Sequence, residues 1–396
     1  MSQLSGHVVI APDKFRGSLT AAEVAAHVAA GLGPGVATVA LPVADGGDGT
    51  VEALAASGFT RVEVEVTGPV GDPVRAAYAW RDAGAGEPGP TAVVELAEAS
   101  GLRRLPSAEG DVGFAPLTAT THGVGELVAH AVRRGARRIV LGLGGSASTD
   151  GGAGMMRALG VRFLDADGQE LPPGGAALRD LEKIDKSGLV AMDDVEFVIA
   201  SDVDNPLLGP HGAAAVYGPQ KGASPEDVAL LERALARLAA VAVHTHGLLG
   251  AVEHDGVVRP MGVAAQPGAG AAGGTGFAAL AFLRAEFRPG IEYILDLLGF
   301  HERLDGARLV ITGEGALDEQ TLRGKAPAGV AAAAAKAGVP VVAVCGLLAL
   351  DGEELNAAGI TAAYALADIE PDPDLCVSEA GPLLERLAHE IAKTRL

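Results

Sequence analysis

"LVITGEGALDEQTLRGKAP", residues 309–327, decides the fold. A short apolar run ends in Gly313-Glu314-Gly315, a polar loop follows, and an Ala-rich helix is expected from Pro327 to Gly338. Strand, loop, helix is the order from which parallel sheets are built. The loop is neither of the two common nucleotide loops. A dinucleotide fingerprint needs a small residue three places after Gly315, and Asp318 stands there. A P-loop needs Gly-x4-Gly-Lys-Ser/Thr, but Glu319 takes the first Gly position and Ala326 follows Lys325. What is left is a strand end with free backbone N–H groups, one carboxylate (Asp318) and two cations (Arg323, Lys325). That set suits an anionic ligand at a helix N-terminus.

The same alternation opens the chain. A strand at His7 to Ala11 leads through "PDKFRGS" to a helix whose capping box is Thr20 and Glu23, with Val24, Val28 and Leu32 on its apolar face. "ATVALPVAD" then reads as a strand, "GGDGT" as a loop, and a second helix runs to about Ser57. Such a βαβα start places ligands at the carboxyl ends of parallel strands. After residue 289 the alternation returns: strand 308–312, helix 327–338, strand 339–345, a strand near 361–366, and a last helix with Leu384, Leu387 and Ile391 on one side.

The middle differs. "RVEVEVTGP", "VRAAYAW" and "TAVVELAEA" follow one another directly, which predicts antiparallel or mixed pairing. A helix at 123–135, the strand "RIVLGLG", a long Gly-rich loop, a strand at 195–200 and a striped helix from Pro225 to about His244 come next. The expected architecture is α/β: a Rossmann-like doubly wound domain built from both chain ends (1–66 and 287–396), with an inserted mixed α/β domain (67–286).

Bulk properties narrow the function. The 396 residues carry a net charge of -20, which argues against nucleic acid and anionic membranes, since both need a basic footprint. An anionic substrate must therefore be drawn in by local cations. Lys14, Lys221 and Lys325 fall in strand-end or Gly-flanked loops and are candidates, because a Lys head is a compact point charge suited to phosphate or carboxylate. The two cysteines, Cys345 and Cys376, lack metal-ligand spacing and suggest no disulfide framework. No export signal and no membrane-spanning run is read, so a cytoplasmic location is expected.

Four further loops carry candidate chemistry. In "LGLGGSASTDGGAGMMRALGVRFLD", Gly142, Gly144 and Ala147 match G-x-G-x-x-A, with Asp165 near a ribose-binding position. The continuing Gly run leaves room for barely two helical turns, so an anion cradle of Gly145, Ser146, Ser148 and Thr149 beside Asp150 is the favoured reading over a nicotinamide site. Gly273 and Gly274 in "PGAGAAGGTGFAALAFL" present N–H groups to a phosphate or serve close packing. Asp45 and Asp48 in "PVADGGDGTVEAL" suit Mg²⁺ ligation or proton transfer, or Asp48 caps a helix. "ASDVDNPLLGPHGAAAVYGPQKGAS" adds Asp202, Asp204, Asn205 and Lys221.

Together "VIAPDKFRGSLTA", "PVADGGDGTVEA", "GLGGSASTDGGAGM", "SDVDNPLLGPHGA", "YGPQKGA", "GAGAAGGTGF" and "ITGEGALDEQTLRGKAPAGVA" resemble, in order and over nearly the whole chain, the motif series of the type I glycerate kinases. The resemblance implies ATP-dependent phosphorylation of D-glycerate with Mg²⁺, in a cleft between two domains, with 2-phosphoglycerate favoured over 3-phosphoglycerate. On that reading Lys14, Asp204, Asp318 and Lys325 are catalytic, Asp204 or Asp318 taking the hydroxyl proton. Arg16, Asp45, Lys221 and Arg323 bind substrate. Gly145, Ser146, Ser148, Thr149, Gly273, Gly274, Gly313 and Gly315 bind nucleotide or phosphate, and Asp45, Asp48 and Asp202 hold the metal. The competing expectations are a nicotinamide-dependent hydroxy-acid dehydrogenase built on Gly142 to Asp165, and a non-enzymatic sugar-acid-binding regulatory module. Whether the chain forms a homo-oligomer is left open.

Overall fold

A computed structural model describes residues 6–84, 86–108, 111–246, 249–254 and 257–396. They form two compact units. The first comprises the chain up to Asp45, Glu52–Phe59 and Pro289–Leu396; the second comprises Gly46–Val51 and Thr60–Arg288. The strands of the two main sheets are β1 (His7–Pro12), β2 (Thr38–Ala40), β3 (Thr60–Thr67), β4 (Pro73–Arg81), β5 (Thr91–Glu95), β6 (Arg138–Gly142), β7 (Glu196–Ala200), β8 (Glu286–Arg288), β9 (Ala307–Leu317), β10 (Val341–Leu348) and β11 (Ala362–Ala365). The helices used below are α1 (Ala21–Leu32), α2 (Thr50–Ala56), α3 (Leu96–Ser100), α4 (His122–Arg133), α5 (Ala153–Ala158), α6 (Ala271–Leu283), α7 (Ala326–Lys336) and α8 (Ala380–Arg395).

The first unit is a parallel five-stranded sheet in the order β11-β10-β9-β1-β2. Val8 and Ile10, Leu309 and Ile311, and Val342 and Val344 join α1 and α8 in one apolar cluster. Their alternates Val9, Val310 and Val341 are equally buried, so by strand alternation both faces are covered. Each such side chain contributes roughly 1.5–3 kcal/mol by leaving water. The capping box that starts α1 is present, Thr20 Oγ1 accepting from Glu23 N at 3.2 Å and Glu23 Oε2 from Thr20 N at 2.8 Å. From β1 the chain steps outward to β2; from β9 it steps the other way, to β10 and β11. The order therefore reverses between β1 and β9, where open α/β sheets place their ligands.

Strand β9 is longer than the apolar run predicted. It continues through Gly313-Glu314-Gly315 because β10 stays paired with it as far as Leu317, opposite Leu348. Gly313 is thus a strand residue. A Cβ there would lie 2.2 Å from Val344 O.

The second unit holds a mixed sheet in the order β8-β7-β6-β5-β4-β3, parallel from β5 to β8 and antiparallel through β4 and β3. Strand β3, expected to close the first domain, pairs with β4 from Thr60 opposite Trp80 to Thr67 opposite Pro73, and so belongs to the second unit. "TAVVELAEA" is not one strand: β5 ends at Glu95 and α3 follows at once. Cys345 and Cys376 are free thiols. No helix among the described residues is long and apolar enough to cross a membrane.

Candidate active site

At the reversal point of the first sheet, strand ends supply Asp13 and Lys14 after β1, Asp45 beyond β2, and Glu314 within β9. Asp13 N donates to Gly313 O at 2.8 Å, which ties the end of β1 to β9. Asp13 Oδ1 accepts from Lys14 N at 2.7 Å and stands 3.6 Å from Lys14 Nζ. Burial pushes the Asp13 carboxyl up to about 6; Lys14 opposes the rise, and the charges of Asp45 and Glu314 add to it. Glu314 is also buried. Its Oε1 accepts from Thr321 Oγ1 at 2.5 Å, and its Oε2 lies 3.4 Å from Lys325 Nζ. Burial raises the Glu314 carboxyl as well, with Thr321 and Lys325 holding it back.

Asp13 and Glu314 were not among the sequence candidates. A signal existed for both: Asp13 directly follows an apolar strand, and Glu314 is the lone charge in "LVITGEGAL". Lys325 sits at the N-cap of α7, with Pro327 in its first turn. Asp318 does something else. Its Oδ1 accepts from Gln320 N at 2.8 Å and Thr321 N at 3.3 Å, so its carboxylate closes a turn. Arg16 is exposed, and the side chain of Arg323 lies outside the described residues. A Cβ on Gly315 would approach Arg16 N no closer than 3.4 Å.

In the second unit the carboxyl ends of β6 and β7 meet the Gly46–Val51 segment through bare backbone. A Cβ on Gly142 would lie 2.4 Å from Gly46 O, one on Gly144 2.4 Å from Gly47 Cα, and one on Gly46 2.5 Å from Ala200 O. Only glycine allows that approach. Asp150 is buried and joins the starts of α4 and α5: Oδ2 accepts from Thr121 N at 2.9 Å and Gly154 N at 3.1 Å, and Oδ1 from Gly152 N at 3.1 Å. Its many donors mark it as a structural hub.

Lys221, expected to bind substrate, is 2 % exposed, and its Nζ donates to Ser148 O at 2.5 Å. Burial lowers its ammonium to about 7, and Asp150 partly restores it. In this conformation the ammonium serves the protein's own backbone. The cradle residues Gly145, Ser146, Ser148 and Thr149 are brought together; Ser146 bridges Gly101, and Ser148 Oγ and Thr149 Oγ1 are buried with no hydrogen-bond partner among the described residues. Gly273 and Gly274 serve packing: a Cβ on Gly273 would lie 2.1 Å from Ser148 O, and one on Gly274 2.9 Å from Gly151 Cα. Ala272, Gly273 and Gly274 are all left-handed, so the regular turns of α6 start only after them.

Asp204 is exposed and Asp202 partly buried. Burial first, and then the Asp204 charge, raise the Tyr217 phenol, which donates to Asn205 Oδ1 at 2.8 Å. Among the described residues no three His, Cys, Asp or Glu side chains gather as a metal-binding group, Asp45, Asp48 and Asp202 included. The dinucleotide reading fails on geometry. Helix α5 begins only at Ala153, and Asp165 Oδ1 accepts from Asp167 N at 2.9 Å and Gln169 N at 2.8 Å, closing a turn where a ribose acid would be needed.

Known proteins agree with the motif series. The family profile described as "Glycerate kinase family" matches residues 8–396. A glycerate kinase of Bacillus subtilis (strain 168) is 42% identical over 390 residues, 97% of this chain and 96% of the relative. A glycerate 2-kinase of Escherichia coli (strain K12) is 42% identical over 364 residues, 91% of this chain and 90% of the relative. A crystal structure of a candidate glycerate kinase 2 from Salmonella typhimurium LT2 superposes with a TM-score of 0.79 at 39% identity, covering 98% of both chains. A doubly wound parallel sheet with acids and lysines at its reversal point, joined to relatives this similar over this length, leads to one conclusion: the chain belongs to the glycerate kinase family and is a phosphotransferase with an alcohol group as acceptor.

Proposed function

We propose that the chain transfers the γ-phosphoryl group of ATP to D-glycerate with Mg²⁺ and yields 2-phosphoglycerate. The observation that carries the chemistry is the group Asp13, Lys14, Glu314 and Lys325 at the reversal point of the first sheet, two acids and two ammonium groups held by buried geometry. Phosphoryl transfer asks a protein for positioning and charge neutralisation more than for covalent chemistry. Lys14 and Lys325, with Arg16 and Arg323, offer cations for the substrate carboxylate or the migrating phosphoryl group. Asp13 is the acid we assign to the hydroxyl proton. At about 6 its carboxyl is ionised at neutral pH yet basic enough to accept. Asp318 is engaged with its own turn, and Asp204 is exposed.

The residues fit the nucleotide and metal. Ser148 and Thr149 carry buried hydroxyls with no hydrogen-bond partner among the described residues beside the Gly-rich cradle, and within the same unit Asp48 and Asp202 offer hard oxygen donors. Mg²⁺ is commonly held by one or two carboxylates plus the nucleotide's phosphate oxygens, so a gathered set of three acids is not required. When bound, it would neutralise charge on the transferring group. The Escherichia coli relative is named for the 2-position, which supports 2-phosphoglycerate as product. Incubation with ATP, Mg²⁺ and D-glycerate, read by phosphorus NMR, should show ADP and 2-phosphoglycerate. A 3-phosphoglycerate product would overturn the regiochemistry, and absence of ADP the kinase reading.

A further inference from the structure

The Gly46–Val51 segment poses a physical problem. Gly46 and Gly47 rest backbone on backbone against the ends of β6 and β7, so no apolar side chain of theirs fastens the loop. Its polar fastening comes from β5. Glu95, the last residue of that strand, has a side chain only 1% exposed. Its Oε2 accepts from Val51 N at 3.0 Å and its Oε1 from Gly49 N at 3.2 Å. These are N–H groups at the start of α2, which have no acceptor within their own helix. Arg103 completes the arrangement: Nη1 stands 2.7 Å from Asp48 Oδ1, Nη2 stands 3.3 Å from Glu95 Oε1, and Nη2 also pairs with Glu98. Glu98 is itself held by Ala77 N at 2.9 Å, Arg61 at 3.4 Å and Arg104 at 3.5 Å. One guanidinium thus spans three carboxylates, and the loop carries one of them.

We propose that Glu95 is a positioning residue: with Arg103 it clamps the Gly46–Val51 loop, and with it Asp48, in the register the reaction needs. Buried as it is, Glu95 meets no substrate and acts through the loop. The functional half of this statement rests on the assignment of Asp48 to the metal made above.

Glu95→Gln keeps the shape but replaces one of the two oxygens that accept from Gly49 and Val51 by an amide nitrogen that cannot accept, and Arg103→Met removes the bridge from a half-exposed position. In ligand-free protein, hydrogen exchange of the segment around residues 46–51 should speed up at least tenfold in both variants. In ADP-forming assays kcat should fall about tenfold to a hundredfold, and the Mg²⁺ concentration for half-maximal rate should rise several-fold. The double variant should be no worse than the worse single, because both break one unit. Unchanged exchange and unchanged Mg²⁺ response in either single variant, or additive losses in the double, overturn the proposal. Should Glu95→Gln fail to fold, Arg103→Met decides alone by the same readouts. Asp48→Asn separates the two readings. If it keeps normal kinetics while Glu95→Gln loses them, the clamp stands and the assignment of Asp48 falls. If Asp48→Asn loses activity and Glu95→Gln does not, the clamp is overturned.

Discussion

The two units treat polar groups at their strand ends in opposite ways. In the first, acids and lysines converge on the reversal point while Lys14 and Lys325 keep part of their side chains in water. In the second, loops of the same Gly-rich appearance are folded inward. Gly142, Gly144 and Gly273 are pressed onto neighbouring backbone, Lys221 is spent on a carbonyl, and Asp150 satisfies helix starts. A glycine-rich loop is therefore not one kind of object. Where a Cβ would strike backbone, as at Gly142, Gly144 and Gly273 and also at Gly313 of the first unit, the glycine is a packing device; at Gly315 the nearest atom would lie 3.4 Å away.

The contrast is broken most severely at Asp13. Asp13→Asn should reduce kcat by about 10²–10⁴-fold, the range for loss of a general base, while the melting temperature stays within a few degrees, since a buried neutral amide replaces a buried charge. A loss below tenfold in a steady-state assay would remove Asp13 from the chemistry. Next comes Gly273→Ala in the second unit. With φ at +65° and Ser148 O in the way, it should cost roughly 2–4 kcal/mol by urea denaturation, as overpacking at a strained position does.

Lys221→Met sharpens the comparison through pH. The ammonium is lowered to about 7 in the folded chain against 10.5 in the unfolded one, so between these values the unfolded chain binds more protons and stability rises with pH. Its share of that slope approaches about 1.4 kcal/mol per pH unit and should vanish in Lys221→Met across pH 7–10. An identical slope in the variant would show that the ammonium is solvated. The smallest effect is expected at Gly315→Ala in the first unit: with φ outside the left-handed region and no contact under 3.4 Å, stability should change by under about 1 kcal/mol.

Much of this was legible beforehand. The capping box of Thr20 and Glu23, the apolar stripes of α1 and α8, and the return of βα alternation near residue 289 are local patterns that need no partner to be recognised. So was the antiparallel succession of β3 and β4. The misses share a cause. Glu314 read as part of a loop because its strand's length depends on β10, where its partner Cys345 lies 31 residues away in sequence. The Asx turn that Asp318 closes was equally unread, although "DEQT" has its makings. Glu95 drew no notice because nothing near it in sequence hints that Gly49 and Val51 will seek its oxygens.

The order of residues alone determined which segments alternate as strand and helix, that both chain ends share one parallel sheet, and to which family the motifs belong, since periodicity, capping and turn chemistry act over a few neighbouring positions. Only the tertiary structure decided which charged groups lose their water. Desolvation depends on what arrives from distant parts of the chain, and that separates a half-wet Lys325 from a buried Lys221.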